Sequence, residues 1–144
     1  MTHSPFCQRG TVADVTRFTI YGRPVAKPRM TRRDKWKKRP CVVRYHEFCD
    51  RAREAAGWAC KKTLYVPMAM TARVFVEIPK TKRKGVGLLL AGMPCTAKPD
   101  WDNLGKSLGD ALFWNDEKIW RGAVEKYWDD GKGARIEVTL ESRA

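Results

Sequence analysis

The sequence predicts one α/β domain of the α+β type, with a mixed sheet of about four strands and two main helices packed on it. Two observations predict this class. Four segments alternate apolar and polar residues, as half-buried strands do, and two repeat apolar residues every three or four positions, as amphipathic helices do. A chain of 144 residues can bury one substantial core, and no internal repeat or second domain is visible. We therefore predict a single domain over residues 1–144.

The N-terminal part predicts a strand followed by a basic loop. Residues 1–11 show little pattern, and we expect them to be poorly ordered. Phe18 and Ile20 alternate with polar residues, which predicts the first strand over Val12–Tyr21. Two prolines then exclude regular structure, so residues 22–40 are expected to form a flexible basic loop.

The remaining elements follow from the same patterns. Apolar residues at i, i+3, i+4 and i+7 predict the first helix, alternation predicts the strands, and Asp-Asp-Gly-Lys-Gly predicts a hairpin turn between the last two strands. A second basic and flexible loop is expected at 79–97, where Leu88-Leu89-Leu90 form either a short helical turn or a dimer contact. The predicted ranges are Val43–Lys62 for the helix, Met68–Ile78, Lys118–Trp128 and Ala134–Leu140 for the strands, and Asp129–Gly133 for the turn.

The second helix carries the acidic residues and is predicted from Asp102 to about Phe113. Pro99 biases the preceding residue toward an extended conformation, and Asp102 is a good N-cap. At about 100° per residue, Asp102, Lys106 and Asp110 fall within an arc of about 80°, opposite the leucines. The helix therefore has a charged front and an apolar back.

The net charge indicates a polyanionic partner. Lys and Arg number 29 against 16 Asp and Glu, a formal charge of +13. Such an excess on one domain is the electrostatic footprint of nucleic-acid binding. An anionic membrane surface is the competing partner, but no apolar run approaches the roughly 20 residues of a membrane span, and no basic amphipathic helix with a strong apolar face is visible.

Two basic clusters are the predicted DNA-binding residues. The first would displace counterions from phosphates, and Trp36 within it would stack on an unpaired base; the alternative is a solvated loop without a role. The second would hold DNA strands beside the acidic helix. The residues are Lys27, Arg29, Arg32, Arg33, Lys35, Lys37, Lys38 and Arg39 in the first cluster, and Lys80, Lys82, Arg83 and Lys84 in the second.

The cysteines and the N-terminus predict a cytoplasmic protein. Five cysteines are an odd number without a Cys-x-x-Cys spacing, which argues against a zinc knuckle and a complete disulfide framework, so we expect reduced thiols. The N-terminus lacks the apolar core of a secretory signal.

Four carboxylates cluster at the second helix within seventeen residues. Asp100 precedes the helix and can lie beside Asp102, while Asp116 follows it at the entry to the next strand. Carboxylate oxygens with open positions for water and phosphate suit Mg²⁺, which can activate water and neutralise charge on a phosphate. We predict Asp100, Asp102 and Asp116 as metal ligands, Asp110 as a further ligand or supporting group, and Lys106 as support for phosphate charge. Mn²⁺ is expected to substitute.

Each of these residues also has a purely structural interpretation. Asp102 alone could be a helix cap, Lys106 and Asp110 could form a surface pair worth only about 0.3–0.5 kcal/mol, and Asp116 could belong to a turn. Asp129 and Asp130 fit turn chemistry, and we assign them no metal role.

The acidic stretch resembles the signature of RusA-type Holliday junction resolvases, small endodeoxyribonucleases often encoded by phages and prophages. The resemblance is carried by Lys98-Pro-Asp-Trp-Asp-Asn-Leu-Gly-Lys106, by Asp110-Ala-Leu and by Phe-Trp-Asn-Asp116-Glu-Lys-Ile119. The family usually has two adjacent Asp residues at the last position, where this chain has Asn115-Asp116-Glu117. Glu117 is therefore a second candidate for the last ligand.

The resemblance implies Mg²⁺-dependent cleavage of four-way DNA junctions by a homodimer that makes paired symmetric nicks in recombination and repair. It is looser outside residues 98–120, although it extends to the Pro-x-x-Lys-Pro-Arg turn after the first strand. Two alternatives stay open. One is a non-catalytic DNA- or RNA-binding module; the other is nucleotidyl transfer, which also uses paired aspartates, but no nucleotide-cradling turn precedes them here.

Overall fold

A computed structural model of the chain describes residues 14–36, 39–57, 67–83, 87–113 and 116–142. The main elements are β1 (Asp14–Tyr21), α1 (Pro40–Ala56), β2 (Met68–Val76), α2 (Trp101–Leu112), β3 (Ile119–Trp128) and β4 (Arg135–Ser142). Short helical turns interrupt the connections at Arg32–Lys35, Lys80–Arg83, Gly87–Leu90 and Asp116–Lys118. The predicted order of strand, helix, strand, helix, strand, strand is confirmed.

The four strands form one mixed sheet in the order β1-β4-β2-β3. β4 pairs antiparallel with both β1 and β2, while β2 and β3 run parallel. The predicted fold class, a small α+β domain with a four-stranded mixed sheet and two main helices, is confirmed.

The core lies between the sheet and the two helices. β2 takes a central position and is the most apolar strand; Met70, Ala72 and Val74 are almost completely buried. Phe48 of α1 and Leu108 of α2 pack into the same cluster. The opposite face of the sheet instead carries Arg and Glu side chains that pair across strands, such as Arg73 with Glu125 and Glu137.

α1 begins earlier and ends earlier than predicted. It starts at Pro40, whose fixed φ suits the first helical position, where no amide hydrogen is needed. It ends at Ala56, because Gly57 adopts a φ of +53° that closes the helix with a bond from its amide to the Arg53 carbonyl. The pattern that extended the prediction to Lys62 continues into residues outside those described.

The predicted hairpin between β3 and β4 is wrong. The turn chemistry of Asp129–Gly133 is present: Asp129 Oδ1 accepts hydrogen bonds from the amides of Gly131 and Gly133, both at 3.0 Å. The strands it joins are not neighbours, however, because β2 lies between them. The turn residues indicate only that the chain reverses locally. The central position between β3 and β4 is taken by β2, because this strongly apolar strand is buried there.

Strand ends differ from the predicted ends by one or two residues in the described parts. β2 stops at Val76 rather than Ile78, and the Val76 carbonyl accepts from the Asp129 amide where the connection crosses the sheet. β4 starts one residue later than predicted and extends to Ser142. Phe113 is buried at the end of α2, as expected; its predicted partner Trp114 lies outside the described residues.

The cysteines and the membrane prediction can be checked only in part. Cys41, Cys49 and Cys95 are free thiols, and Cys7 and Cys60 lie outside the described residues. Across the ranges that the structure covers, no helix combines the length and the apolar character that crossing a bilayer requires.

Candidate active site

An open cleft of about 590 Å³ lies where the start of α2 meets the second half of β3. Its lining combines two carboxylates, an aromatic ring and a cation, contributed by three parts of the chain. The residues are Cys95, Thr96, Asp100, Trp101, Asp102, Val124 and Lys126. The predicted pair Asp100 and Asp102 is thus brought together at one opening.

The helix begins at Trp101, one residue before the predicted start, and its N-cap lies two residues before the predicted one. Asp100, not Asp102, occupies the N-cap, with extended φ and ψ of −68° and 144°, and its side chain makes no capping hydrogen bond. Asp102 lies inside the first turn. The interpretation of Asp102 as a cap is therefore wrong, and both carboxylates lie at the positive end of the helix dipole, where negative charge is favoured.

Lys106 lies one turn after Asp102 on the same side of α2, as predicted. Its Nζ is 3.7 Å from Asp102 Oδ2, and both side chains are at least half exposed. An exposed pair of this kind contributes little to stability. Lys106 can therefore exchange Asp102 for a phosphate oxygen at small cost.

Two cleft residues that could contact DNA, Trp101 and Lys126, were not predicted from the sequence as site residues. Trp101 follows the apolar spacing of α2, yet it is 65% exposed and belongs to the lining of the cleft. Lys126 lies on β3 and donates a hydrogen bond to the Ala97 carbonyl. It lies on the same face of β3 as Val124 and Trp128, so a lysine at a core-facing position was the available signal.

Asp110 lies away from the cleft. It is two helical turns from Asp102, about 12 Å along the axis, and its Oδ2 is 2.7 Å from Lys27 Nζ. The row of Asp102, Lys106 and Asp110 along α2 is present as predicted. The three residues do not act together, however: Asp102 pairs with Lys106 at the cleft, whereas Asp110 pairs with Lys27 of the basic loop.

The side chain of Asp116 lies outside what the structure describes, but its main chain starts the short turn before β3. β3 runs antiparallel to α2, with Val124 against Gly105. Five residues separate Ile119 from Val124, about 16 Å at 3.3 Å per residue. The main chain at Asp116 therefore lies at the other end of β3 from the cleft.

The residues present fit a hard divalent cation. Mg²⁺ in nucleotide and phosphate chemistry is commonly bound by one or two carboxylates, with water and substrate phosphate completing the shell. Asp100 and Asp102 supply oxygen ligands of this kind at an open cleft. Among the described side chains, no group of three or more His, Cys, Asp or Glu residues could hold an ion together.

Asp34, which was not among the predicted site residues, holds the first basic cluster in place. Asp34 is only 8% exposed; Arg39 donates to its two oxygens at 2.8 and 2.9 Å, and the Thr31 amide donates at 2.6 Å. These bonds, led by the one from Arg39, hold the pKa of Asp34 well below its usual range. Residues 23–31 are irregular as expected, whereas Arg32–Lys35 form a 3-10 turn.

Most of this cluster remains accessible around that turn. Arg39 donates hydrogen bonds to Asp34 and to the Arg29 carbonyl, so its guanidinium stabilises the turn. The exposed members are Lys27, Arg29, Arg32, Arg33 and Lys35, with Trp36 91% exposed beside them. Lys37 and Lys38 lie outside the described residues.

The second basic cluster borders the start of the acidic helix, as expected. Lys80 lines a groove together with Arg23 and with Lys98, two residues before Asp100. Lys82 lies over the ring of Trp128 at 5.2 Å. The side chains of Arg83 and Lys84 lie outside the described set. Cations therefore flank the acidic cleft on the side from which α2 begins.

Comparison with known families gives one match. The family model described as Endodeoxyribonuclease RusA matches residues 22–141, which include the basic segment, the cleft, β2, β3 and all but the last residue of β4; β1 precedes the matched range. No curated protein matches the chain significantly.

Proposed function

The chain belongs to the RusA family of endodeoxyribonucleases, and from that premise we propose that it is a Mg²⁺-dependent nuclease that resolves four-way DNA junctions by paired nicks. The observation that carries this proposal is that Asp100 and Asp102 lie together at one open cleft, and that the Asp100 side chain makes no capping hydrogen bond. The surrounding charge of +13 supplies attraction for DNA.

The chemistry assigned to the cleft follows from its side chains. When bound, a divalent cation supplies an activated water and neutralises negative charge on the phosphate. Asp100 and Asp102 provide the oxygen ligands. Lys126 in the lining of the cleft and Lys106, 3.7 Å from Asp102, would hold positive charge near the phosphate and its leaving oxygen, which favours the more negative transition state over the ground state.

Asp116 is the third carboxylate of the proposal, and its support is the family motif. Glu117 is the alternative for this role. Because the main chain of Asp116 lies at the other end of β3 from the cleft, we do not place Asp116 on the ion of Asp100 and Asp102 in the same chain. Asp116→Asn and Glu117→Gln, assayed individually, measure what each residue contributes to cleavage. Cleavage lost in the first variant and kept in the second would assign the role to Asp116.

A homodimer is part of the proposal because paired nicks need two cleavage sites. A four-way junction has two strands of like polarity that must be cut symmetrically. A dimer with two-fold symmetry presents two identical clefts to those two strands.

The direct test is cleavage of a synthetic four-way junction in Mg²⁺. We expect the wild-type protein to make paired nicks, and Asp102→Asn to lose at least two orders of magnitude in rate while still binding the junction. Asp50→Asn is the matched control, since it makes the same change on the exposed face of α1. Absence of incision by the wild-type protein would remove the proposal.

The second candidate is a non-catalytic nucleic-acid-binding module. The observation that favours it is that the described side chains hold no three-membered ligand set. It predicts junction binding that is indifferent to Mg²⁺ and to the Asp100→Asn, Asp102→Asn double variant, with no incision under any condition. The same cleavage assay therefore separates the two candidates.

A further inference from the structure

The segment between β1 and the basic turn is attached to α2 at two points. Residues 23–31 have no regular secondary structure, yet Val25 packs against the core. The Val25 carbonyl accepts a hydrogen bond from the Ser107 hydroxyl at 2.7 Å, and Ser107 is fully buried. Lys27 Nζ then lies 2.7 Å from Asp110 Oδ2. Since Ser107 and Asp110 are three residues apart, both attachments use one side of the helix.

The position of Asp110 argues against a role on the same ion as Asp102. Oxygen ligands lie about 2.0–2.1 Å from Mg²⁺, so two ligands of one ion are within about 4 Å of each other. Asp102 and Asp110 are about 12 Å apart along the helix axis. One oxygen of Asp110 is also occupied by the Lys27 ammonium.

The attachment at Lys27 continues into the basic turn. Two residues further on, the Arg29 carbonyl accepts from Arg39, which also grips Asp34 of the turn. Within the described parts of the chain, Lys27–Asp110 is thus the last side-chain link to α2 before the exposed cations of Arg32–Lys35. Its geometry sets where those cations lie relative to the acidic cleft.

We propose that Lys27 and Asp110 are positioning residues, whose ion pair holds the basic turn along α2 so that it contacts the DNA backbone flanking the bond to be cut. This inference rests on the proposed function. The distance of about 12 Å along α2 corresponds to three to four base pairs at about 3.4 Å each. The ligand of the turn is therefore the phosphate backbone about that far from the cleavage point.

The test exchanges the two charges. Lys27→Asp and Asp110→Lys are each expected to reduce single-turnover junction cleavage at least tenfold and to flatten the salt dependence of junction binding. The double variant restores a pair of opposite charges. We expect its cleavage rate to return to within about threefold of wild type, and the salt dependence of its junction binding to return to the wild-type slope. A double variant no better than Asp110→Lys alone, while equally folded by thermal unfolding, would overturn the proposal.

Asp110→Asn keeps the shape of the side chain and guards against simple loss of folding. For a positioning residue, we expect the Mg²⁺ concentration at half-maximal rate to stay within twofold of wild type and the rate to fall severalfold. A metal ligand would instead raise the Mg²⁺ requirement by an order of magnitude or more, and that result would also overturn the proposal. Glu54→Gln on α1 controls for the change in net charge.

The binding measurements are made without divalent cation, so they do not depend on catalysis. If the wild-type protein binds junctions but does not cut them, the proposed nuclease function fails, and the salt slopes of the exchanged variants still decide whether Lys27 and Asp110 position the turn.

Discussion

At the scale of single residues, the site depends on two exposed carboxylates, of which Asp100 makes no capping hydrogen bond and Asp102 makes only an exposed ion pair with Lys106. Asp102 was predicted from its residue type as a helix cap, because Asp is among the best N-cap residues. Asp100 occupies that position instead and makes no capping bond. The sequence could indicate that both residues lie near a helix start, but which of them begins the helix depends on backbone angles that only the structure supplies.

Trp101 leads to a prediction about binding. An exposed tryptophan between two cleft carboxylates offers a flat surface on which an unpaired base can stack, and such stacking contributes about 1–3 kcal/mol when measured by alanine substitution. We expect Trp101→Ala to weaken binding to a junction by that amount, and Trp101→Phe to retain most of it. Equal affinities for wild type and Trp101→Ala, measured by fluorescence anisotropy, would contradict a stacking role.

Asp130 gives a prediction about acid stability. Hydrogen bonds from Arg135, at 3.0 and 3.1 Å, lower the pKa of Asp130 to about 2. A carboxyl whose pKa is depressed on folding stabilises the native state above its unfolded pKa near 3.9, and this contribution is lost as the pH falls toward 2. The wild type should therefore exceed Asp130→Asn in free energy of unfolding at pH 7, with a gap that narrows below pH 4.

Urea unfolding of both proteins at pH 7, 4 and 3 measures this gap. Asp50→Asn serves as the comparison, since Asp50 is exposed on α1 and should show almost no gap at any pH. A wild-type advantage over Asp130→Asn that stays constant down to pH 3 would show that the ion pair with Arg135 is not the cause.

At the scale of elements, periodicity predicted well which segments form strands and helices, but it did not predict which strands pair with each other in the sheet. The alternation in β2, β3 and β4 is local information, so their existence and approximate ends were predictable. Whether β3 pairs with β4 or with β2 depends on which strand buries most apolar surface, and β2 takes the centre. The turn residues Asp129–Gly133 were read correctly as a reversal and wrongly as a hairpin.

The basic turn leads to a prediction about salt. Arg32 and Arg33 are exposed on the turn that Asp34 and Arg39 fix in place. If each contacts one phosphate, Arg32→Gln with Arg33→Gln should reduce the slope of log affinity against log salt by about 1.8, at about 0.9 per contact. Arg44→Gln, an exposed site on α1, should leave the slope unchanged. An unaltered slope in the double variant would place the turn outside the DNA interface.

At the scale of the whole molecule, the charge distribution is what makes a small acidic cleft useful. A formal charge of +13 attracts DNA from any direction and carries no information about where the strand is cut. Cations lie at the groove of Lys80 and Lys98, just before α2, and at Lys27, which pairs with Asp110 two turns after Asp102. The strand would thereby be guided across the cleft, where Asp100 and Asp102 face it.

The combination of a basic surface and a small acidic site could be predicted from the sequence, because the net charge indicates the first and the motif at Asp100 and Asp102 indicates the second. It could not predict that Lys27 would bind Asp110, or that Lys126 would reach the cleft, because these contacts join residues far apart in the chain. Long-range contacts follow from the order of strands in the sheet, which was the part of the fold least accessible to pattern analysis.

The most direct measurement is the position of Mn²⁺ in crystals of the protein soaked with that ion, located by its anomalous scattering. The account predicts a peak between the carboxylates of Asp100 and Asp102 at the start of α2, and loss of the peak in Asp102→Asn. A cleft without a peak in the wild-type protein, or a peak only at another acidic position such as the Asp129–Asp130 turn, would contradict it.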